Sequence, residues 1–131
     1  MKTELNLIVR PTEIDVNGHV NNAKYLEYLE WARDEWYEAG DLSYKTLLEL
    51  GCQTVTVNIN INYRKECYQG QLLTVTTEQD SARNSSYVLR QTILNEAREI
   101  CADALITSVT IDPSTRKSRP IPEQLRNLFS S

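Results

Sequence analysis

The segment Asp15-Val16-Asn17-Gly18-His19-Val20-Asn21-Asn22 brings a carboxylate, an imidazole and three side-chain amides into eight residues. Asp15 can attack an electrophilic carbonyl directly or take a proton from water as a general base. His19 is the only histidine of the chain. An imidazole titrating near neutrality can hold water, orient a reactant or protonate a leaving group. Asn17 can hold Asp15 or water through its amide. If a helix starts at the end of this segment, its first amides lack internal acceptors and carry about half a positive charge. The amides of the turn from Val20 to Lys24 are then candidates to receive negative charge on oxygen. Each group also has a plainer role. Asp15 suits a helix cap or an Asx turn, Asn17-Gly18 an ordinary turn, His19 a backbone hydrogen bond, and Asn21 and Asn22 caps and loop braces.

The flanking pattern supplies that helix. Tyr25, Tyr28, Leu29, Ala32 and Trp36 recur at three- and four-residue steps and predict one apolar face on a helix from Asn22 to Ala39. Gly40 suits the left-handed position just past its end. A short helix is expected over 42–50, ended by Gly51. Upstream, Leu5 to Arg10 reads as a strand stopped by Pro11. From Cys52 the period becomes two. Val55, Val57, Ile59 and Ile61 alternate with polar residues, as in a long half-buried strand. Three more strands follow at about 71–82, 87–95 and 100–111. Turn residues at Asn84-Ser85-Ser86 and Asn95-Glu96-Ala97-Arg98 join them as antiparallel hairpins. A helical turn is expected over 123–129. One amphipathic helix on a curved five-stranded sheet leaves two edges and one face uncovered, which dimerisation would cover.

The 131 residues fit one domain, 1–131, with room for a core that needs no staples. A net charge of −4 argues against a nucleic-acid partner. No segment has the roughly 20 apolar residues of a membrane span, and the N-terminus has no apolar run of signal-peptide length. Cys52, Cys67 and Cys101 are widely spaced and odd in number, which predicts reduced thiols, no zinc site and a cytoplasmic location.

The stretches Val9–Arg33 (VRPTEIDVNGHVNNAKYLEYLEWAR), Val55–Arg64 (VTVNININYR), Leu72–Thr77 (LLTVTT) and Ala102–Asp112 (ADALITSVTID) together resemble the 4-hydroxybenzoyl-CoA thioesterase group of the hotdog superfamily. Within it the sequence is most similar to the bacterial long-chain acyl-CoA thioesterase III type. The resemblance implies an α+β hotdog fold, a five-stranded antiparallel sheet wrapped around one long central helix. It implies hydrolysis of acyl-CoA thioesters, medium- to long-chain, without metal or redox cofactor, in a homodimer or a homotetramer built as a dimer of dimers. Asp15 falls at the family's catalytic aspartate. The Asp15, Asn17 and His19 positions also resemble the acidic-Asn-His motif of plant acyl-carrier-protein thioesterases. Val20, Asn21, Asn22 and Tyr25 then stand where substrate is expected, and Arg64 and Lys65 where coenzyme A phosphates could be met.

Alternatives remain at this stage. Acyl carrier protein can replace coenzyme A if a broad basic face surrounds Arg64 and Lys65; Arg116, Lys117 and Arg119 are a second group that could meet coenzyme A phosphates. The hydratase motif of related hotdog proteins is Asp-x-Asn-Pro-x-His, whereas this chain has no proline there and starts its helix at once. A non-catalytic acyl-binding protein is a further alternative. Glu27 and Glu30 lie where some relatives place a glutamate base, though exposed helix charge explains both. Cys52 with His19 would make a thiol nucleophile, against the usual role of such a cysteine as a small buried hydrophobe.

Overall fold

The computed structural model describes residues 1–130. Its elements are β1 (Lys2–Ile8), α1 (Asn22–Ala39), α2 (Tyr44–Glu49), β2 (Gln53–Tyr63), β3 (Leu72–Ala82), β4 (Ser86–Leu94), β5 (Ile100–Ile111) and α3 (Glu123–Arg126), with 3₁₀ turns at Pro11–Glu13 and Asn127–Phe129. The five strands form one antiparallel sheet in the order β1-β3-β4-β5-β2. This is the α+β arrangement expected from the resemblance.

α1 begins where Asn21 accepts the Ala23 amide at 2.8 Å. Its apolar stripe is the expected one, with Tyr25, Tyr28, Leu29, Ala32 and Trp36 all buried. The first half of the stripe packs with Leu73, Val75, Ile93 and Ile106 of the sheet. Trp36 anchors a second cluster with Leu42, Leu47, Tyr87, Leu89 and Leu125. A buried polar link ties helix to sheet between them. Gln91, fully buried, donates to the Leu29 carbonyl and to Thr77 Oγ1, both at 2.9 Å, and accepts from Arg33 Nη1 at 3.0 Å.

Three expectations are corrected. β1 starts earlier and ends at Ile8, because Lys2 and Glu4 alternate outward and pair with Glu78 and Thr76 while Pro11 opens a 3₁₀ turn. Gly40 is not left-handed, with φ −90°; Asp41 takes the positive φ of 58° instead. A Cβ at Gly40 would lie 2.8 Å from Leu128 Cδ1, so close packing explains the glycine. β2 is not half-buried through its length. A register shift between Thr56 and Asn58 breaks the alternation, and β2 pairs only with β5. Val57 is consequently 56% exposed and Ile59 38%.

Candidate active site at the start of the central helix

The chain leaves β1 at Ile8 and reaches α1 at Asn22 through a braced loop. Two backbone contacts hold it: Ile14 forms an antiparallel bridge with Val20, and the Val20 amide donates to the Cys67 carbonyl at 2.8 Å. Within them Asp15 N–H donates to the His19 carbonyl at 3.0 Å, and Gly18 N–H to the Asp15 carbonyl at 3.1 Å. Gly18 sits at φ +83°, which glycine alone adopts without strain. The Asn17-Gly18 pair is thus a true turn, and it presents Asp15 at its start.

The Asp15 carboxylate is half-buried and accepts the Asn17 backbone N–H at 2.8 Å through Oδ1. This is an Asx turn, and it fixes one carboxylate oxygen while leaving the other without a protein donor among the described residues. Asn17 therefore holds Asp15 by its main chain; its own side chain is exposed. His19 lies 3.5 Å from the Val20 carbonyl through Nδ1 and 3.7 Å from Glu66 Oε1 through Nε2, with a quarter of its side chain exposed.

The amides at the helix start are less available than the bare helix suggests. Val20 N–H is committed to Cys67, Asn21 N–H to the Glu13 carbonyl (3.0 Å), Ala23 N–H to Asn21 Oδ1 (2.8 Å) and Lys24 N–H to the Asn21 carbonyl (2.9 Å). Of the five candidates, only the Asn22 amide has no acceptor among the described residues. One main-chain donor at the positive end of α1 is what remains for a ligand oxygen.

A hollow of about 260 Å³ next to this end is lined by His19, Val20, Asn22, Tyr25, Tyr63, Arg64, Lys65 and Glu66. It brings together six residues singled out from the sequence, while Asp15, Asn17 and Asn21 lie in the adjoining loop and cap. Tyr63 and Glu66 were not anticipated. Tyr63 closes β2, stacks edge-to-face on Tyr25 at 5.3 Å, and donates to the Asn22 carbonyl at 3.4 Å. Burial, with Cys67 beside it, pushes the Tyr25 phenol well up, so it stays a neutral donor. Arg64 and Lys65 reach the hollow already paired, Arg64 with Asp103 and Lys65 with Glu99 at 3.0 Å.

Another residue missed in the sequence is Glu13. Its carboxylate accepts the Tyr28 hydroxyl and the Arg10 N–H, both at 2.8 Å, and its carbonyl accepts Asn21 N–H. Glu13 thereby fastens the loop bearing Asp15 to the second turn of α1. The only sequence signal was an acidic residue near a phenol that the helical stripe assigned to the core.

Other candidates are separated from this place. Cys52 lies at the opposite end of β2 from Tyr63, roughly 30 Å away at strand rise. Its thiol is buried and pushed up by that burial, so it is no nucleophile for His19. Arg116 and Arg119 are at that far end too, bonded to Gln53 and to the Leu50 and Gly51 carbonyls. Glu27 and Glu30 are exposed helix charges, Glu27 paired with Lys24 at 2.8 Å. The described residues hold no cluster of metal-ligating side chains.

Residues 9–129 match the Thioesterase-like superfamily. The chain is 41% identical over 127 residues to the long-chain acyl-CoA thioesterase FadM of Escherichia coli K12, spanning 96% of this chain and 94% of that protein. It is 26% identical over 113 residues to the acyl-CoA thioester hydrolase YbgC of E. coli, spanning 86% and 84%. Among solved structures, the probable thioesterase YbaW of E. coli superposes with a TM-score of 0.81 at 37% identity, over 98% of this chain and 96% of that one. The Staphylococcus aureus protein SAV2348, solved in complex with CoA, superposes at 0.92 over 99% and 82%, and at 21% identity it speaks for the fold alone. With the sheet order, the central helix and the sequence match in agreement, the chain belongs to the thioesterase-like superfamily and has its hotdog fold.

Proposed function

We propose that this chain, as one domain, hydrolyses acyl-CoA thioesters to free acid and coenzyme A, and that long fatty acyl groups are its preferred substrates. The observation that carries the reaction is the Asn22 amide at the start of α1, which has no acceptor among the described residues and follows the half-buried Asp15 loop. The full-length similarity to a long-chain acyl-CoA thioesterase supports the substrate. In this reading the thioester oxygen accepts from Asn22 N–H, a contribution of about 3–4 kcal/mol to the transition state for one good oxyanion donor. Asp15 then follows one of two routes. As a general base it takes a proton from water, whose oxygen bonds to the carbonyl carbon as the C–S bond breaks. As a nucleophile it forms an acyl anhydride and releases thiolate, and water hydrolyses the anhydride. On either route the departing thiolate takes a proton, with His19 as its nearest imidazole donor. The reading calls for no cofactor.

Coenzyme A is preferred to acyl carrier protein as the carrier, because Asp103 and Glu99 offset the charge of Arg64 and Lys65. The exposed edge of β2, with Val57 and Ile59 in water, supports a homodimer, single or doubled into a tetramer. Three buried, unpaired cysteines suit a reducing cytoplasm. No helix of the described residues is long and apolar enough to cross a membrane.

The decisive variant is Asp15→Asn, which keeps the shape and the acceptor for Asn17 N–H. Thiol release from palmitoyl-CoA should fall by about 10²–10⁴-fold, with binding of the substrate retained. Full activity in that variant would remove Asp15 from the reaction.

A further inference from the structure

The segment that joins β2 to β3 closes the hollow at the helix start. Cys67 of this segment pins the Asp15 loop by its main chain, its carbonyl accepting Val20 N–H at 2.8 Å. The residues on either side of Cys67 add side chains. Glu66 Oε1 lies 3.7 Å from His19 Nε2. Glu66 Oε2 accepts the Tyr68 hydroxyl at 2.8 Å, and Tyr68 N–H donates in turn to Gln71 Oε1 at 2.7 Å. The bond to Glu66 pushes the Tyr68 phenol up, so it remains a donor. The hollow's other charged side chains, Arg64 and Lys65, are tied to Asp103 and Glu99. Among the described residues no lysine or arginine pairs with Glu66, which leaves Oε1 to the imidazole.

The second ring nitrogen turns toward the helix start. His19 Nδ1 lies 3.5 Å from the carbonyl of Val20, two residues ahead of the Asn22 amide. The two nitrogens of an imidazole are not equivalent, and the group held by one decides what the other can do. A carboxylate beside Nε2 keeps the proton there and leaves Nδ1 to act. We propose that Glu66 and Tyr68 are positioning residues for His19, setting its ring so that Nδ1 delivers the proton to the departing sulfur, an inference that rests on the acyl-CoA reading above. As the C–S bond breaks, its electron pair stays on sulfur and binds the Nδ1 proton, giving the free thiol. The ring, cationic before the transfer, is left neutral with its one proton on Nε2, and it regains the other from solvent. The tautomer that Glu66 favours is thus the one the transfer leaves behind. Tyr68 occupies Oε2 and so keeps Oε1 turned to the ring. Neither Glu66 nor Tyr68 gains or loses a proton.

The test compares two leaving groups on the full chain. Coenzyme A departs as an alkyl thiolate that needs a proton, whereas p-nitrothiophenol departs as a thiolate that is stable without one. In Glu66→Ala, kcat for palmitoyl-CoA should fall about tenfold with KM nearly constant, and in Tyr68→Phe about threefold. The palmitoyl ester of p-nitrothiophenol should lose far less, so the ratio of kcat on the two esters falls by nearly the same factors. Glu66→Gln keeps an acceptor for Nε2–H and should recover part of the loss. In a His19→Ala background, Glu66→Ala should cost nothing further. A second readout does not depend on turnover. His19 is the only histidine, so nitrogen NMR of isotope-labelled histidine sees this ring alone. The neutral ring should carry its proton on Nε2, and Glu66→Ala should move both ring resonances. Equal losses on the two esters, additive losses with His19→Ala, or unmoved resonances in Glu66→Ala each overturn the assignment. Failure of the acyl-CoA reading is distinguishable, since it appears as no thiol released from palmitoyl-CoA by the wild type, while the resonances still report how the ring is held.

Discussion

The Glu13–Tyr28 fastening can be tested by removing one oxygen. Tyr28→Phe keeps the ring, which is 3% exposed, so no cavity forms and the core contacts persist. What is lost is a hydroxyl donating to a carboxylate at 2.8 Å. Hydrogen bonds to charged groups contribute about 1.5–3 kcal/mol. Glu13 is only half-buried and keeps the Arg10 amide, so the low end applies, about 1.5 kcal/mol. For a chain of 131 residues the unfolding entropy is about 0.28 kcal/mol per kelvin, so Tm should drop by about 5 °C. The functional effect is of a different kind. The lost bond joins the Asp15 loop to the helix whose Asn22 amide faces the substrate oxygen. Loosening it spreads Asp15 over positions that cannot react, so kcat should fall several-fold with KM nearly constant. Calorimetry and initial rates on palmitoyl-CoA read both quantities, and Glu13→Ala, which removes the acceptor, closes a cycle with the double variant. If Tyr28→Phe and Glu13→Ala were additive in kcat, the two residues would not act through one bond and the reasoning would fail.

Three further outcomes follow from the same geometry. Gly18→Ala places a side chain at φ +83° with no atom within 4 Å, so it costs about 1–2 kcal/mol of backbone strain and should lower kcat without raising KM; wild-type kcat would show the turn to be dispensable. Arg64→Ala and Lys65→Ala should each raise KM for acyl-CoA by less than about threefold, since solvent screens these exposed and already paired charges; a tenfold rise would mean direct phosphate binding. Burial raises the phenols of Tyr25, Tyr28, Tyr37 and Tyr87 above the usual value near 10. Their native state thus holds protons that the unfolded chain gives up. Stability from these groups is intact below about pH 10 and declines as pH rises toward the folded values, by about 1.4 kcal/mol per pH unit and phenol. Urea titrations from pH 9 to 11 should show a shallower decline in Tyr28→Phe, and an identical slope would contradict the burial of that hydroxyl.

The helix and its cap were legible because their signals are local: Asn21 stands four residues ahead of the stripe from Tyr25 to Trp36. The Asn17-Gly18 turn was legible for the same reason. The state of the helix-start amides was not, because their acceptors are the carbonyls of Glu13 and Cys67, one of them nearly fifty residues away in sequence. Alternation in β2 described the strand but not its exposure, which depends on its place at the edge of the sheet and on the shift at Thr56. Trp31 read, with Tyr25, Tyr28 and Trp36, as a core stripe that could alternatively line an acyl tunnel. It departs from the buried positions by one helical step, and only the placement of β1 against α1 turns it into a groove wall.

The Asn22 amide, the one of the five helix-start amides without an acceptor among the described residues, has a bearing on how this chain tolerates inherited change. A donor that belongs to the main chain survives nearly every substitution at its own codon, because the side chain that varies is not the group that acts. Proline alone deletes it, and at the first position of a helix proline is otherwise a favourable residue. Position 22 is therefore free to drift in sequence while guarded against one replacement that folding itself would accept. A variable column with a single forbidden residue is the trace such a group would leave among descendants of this chain.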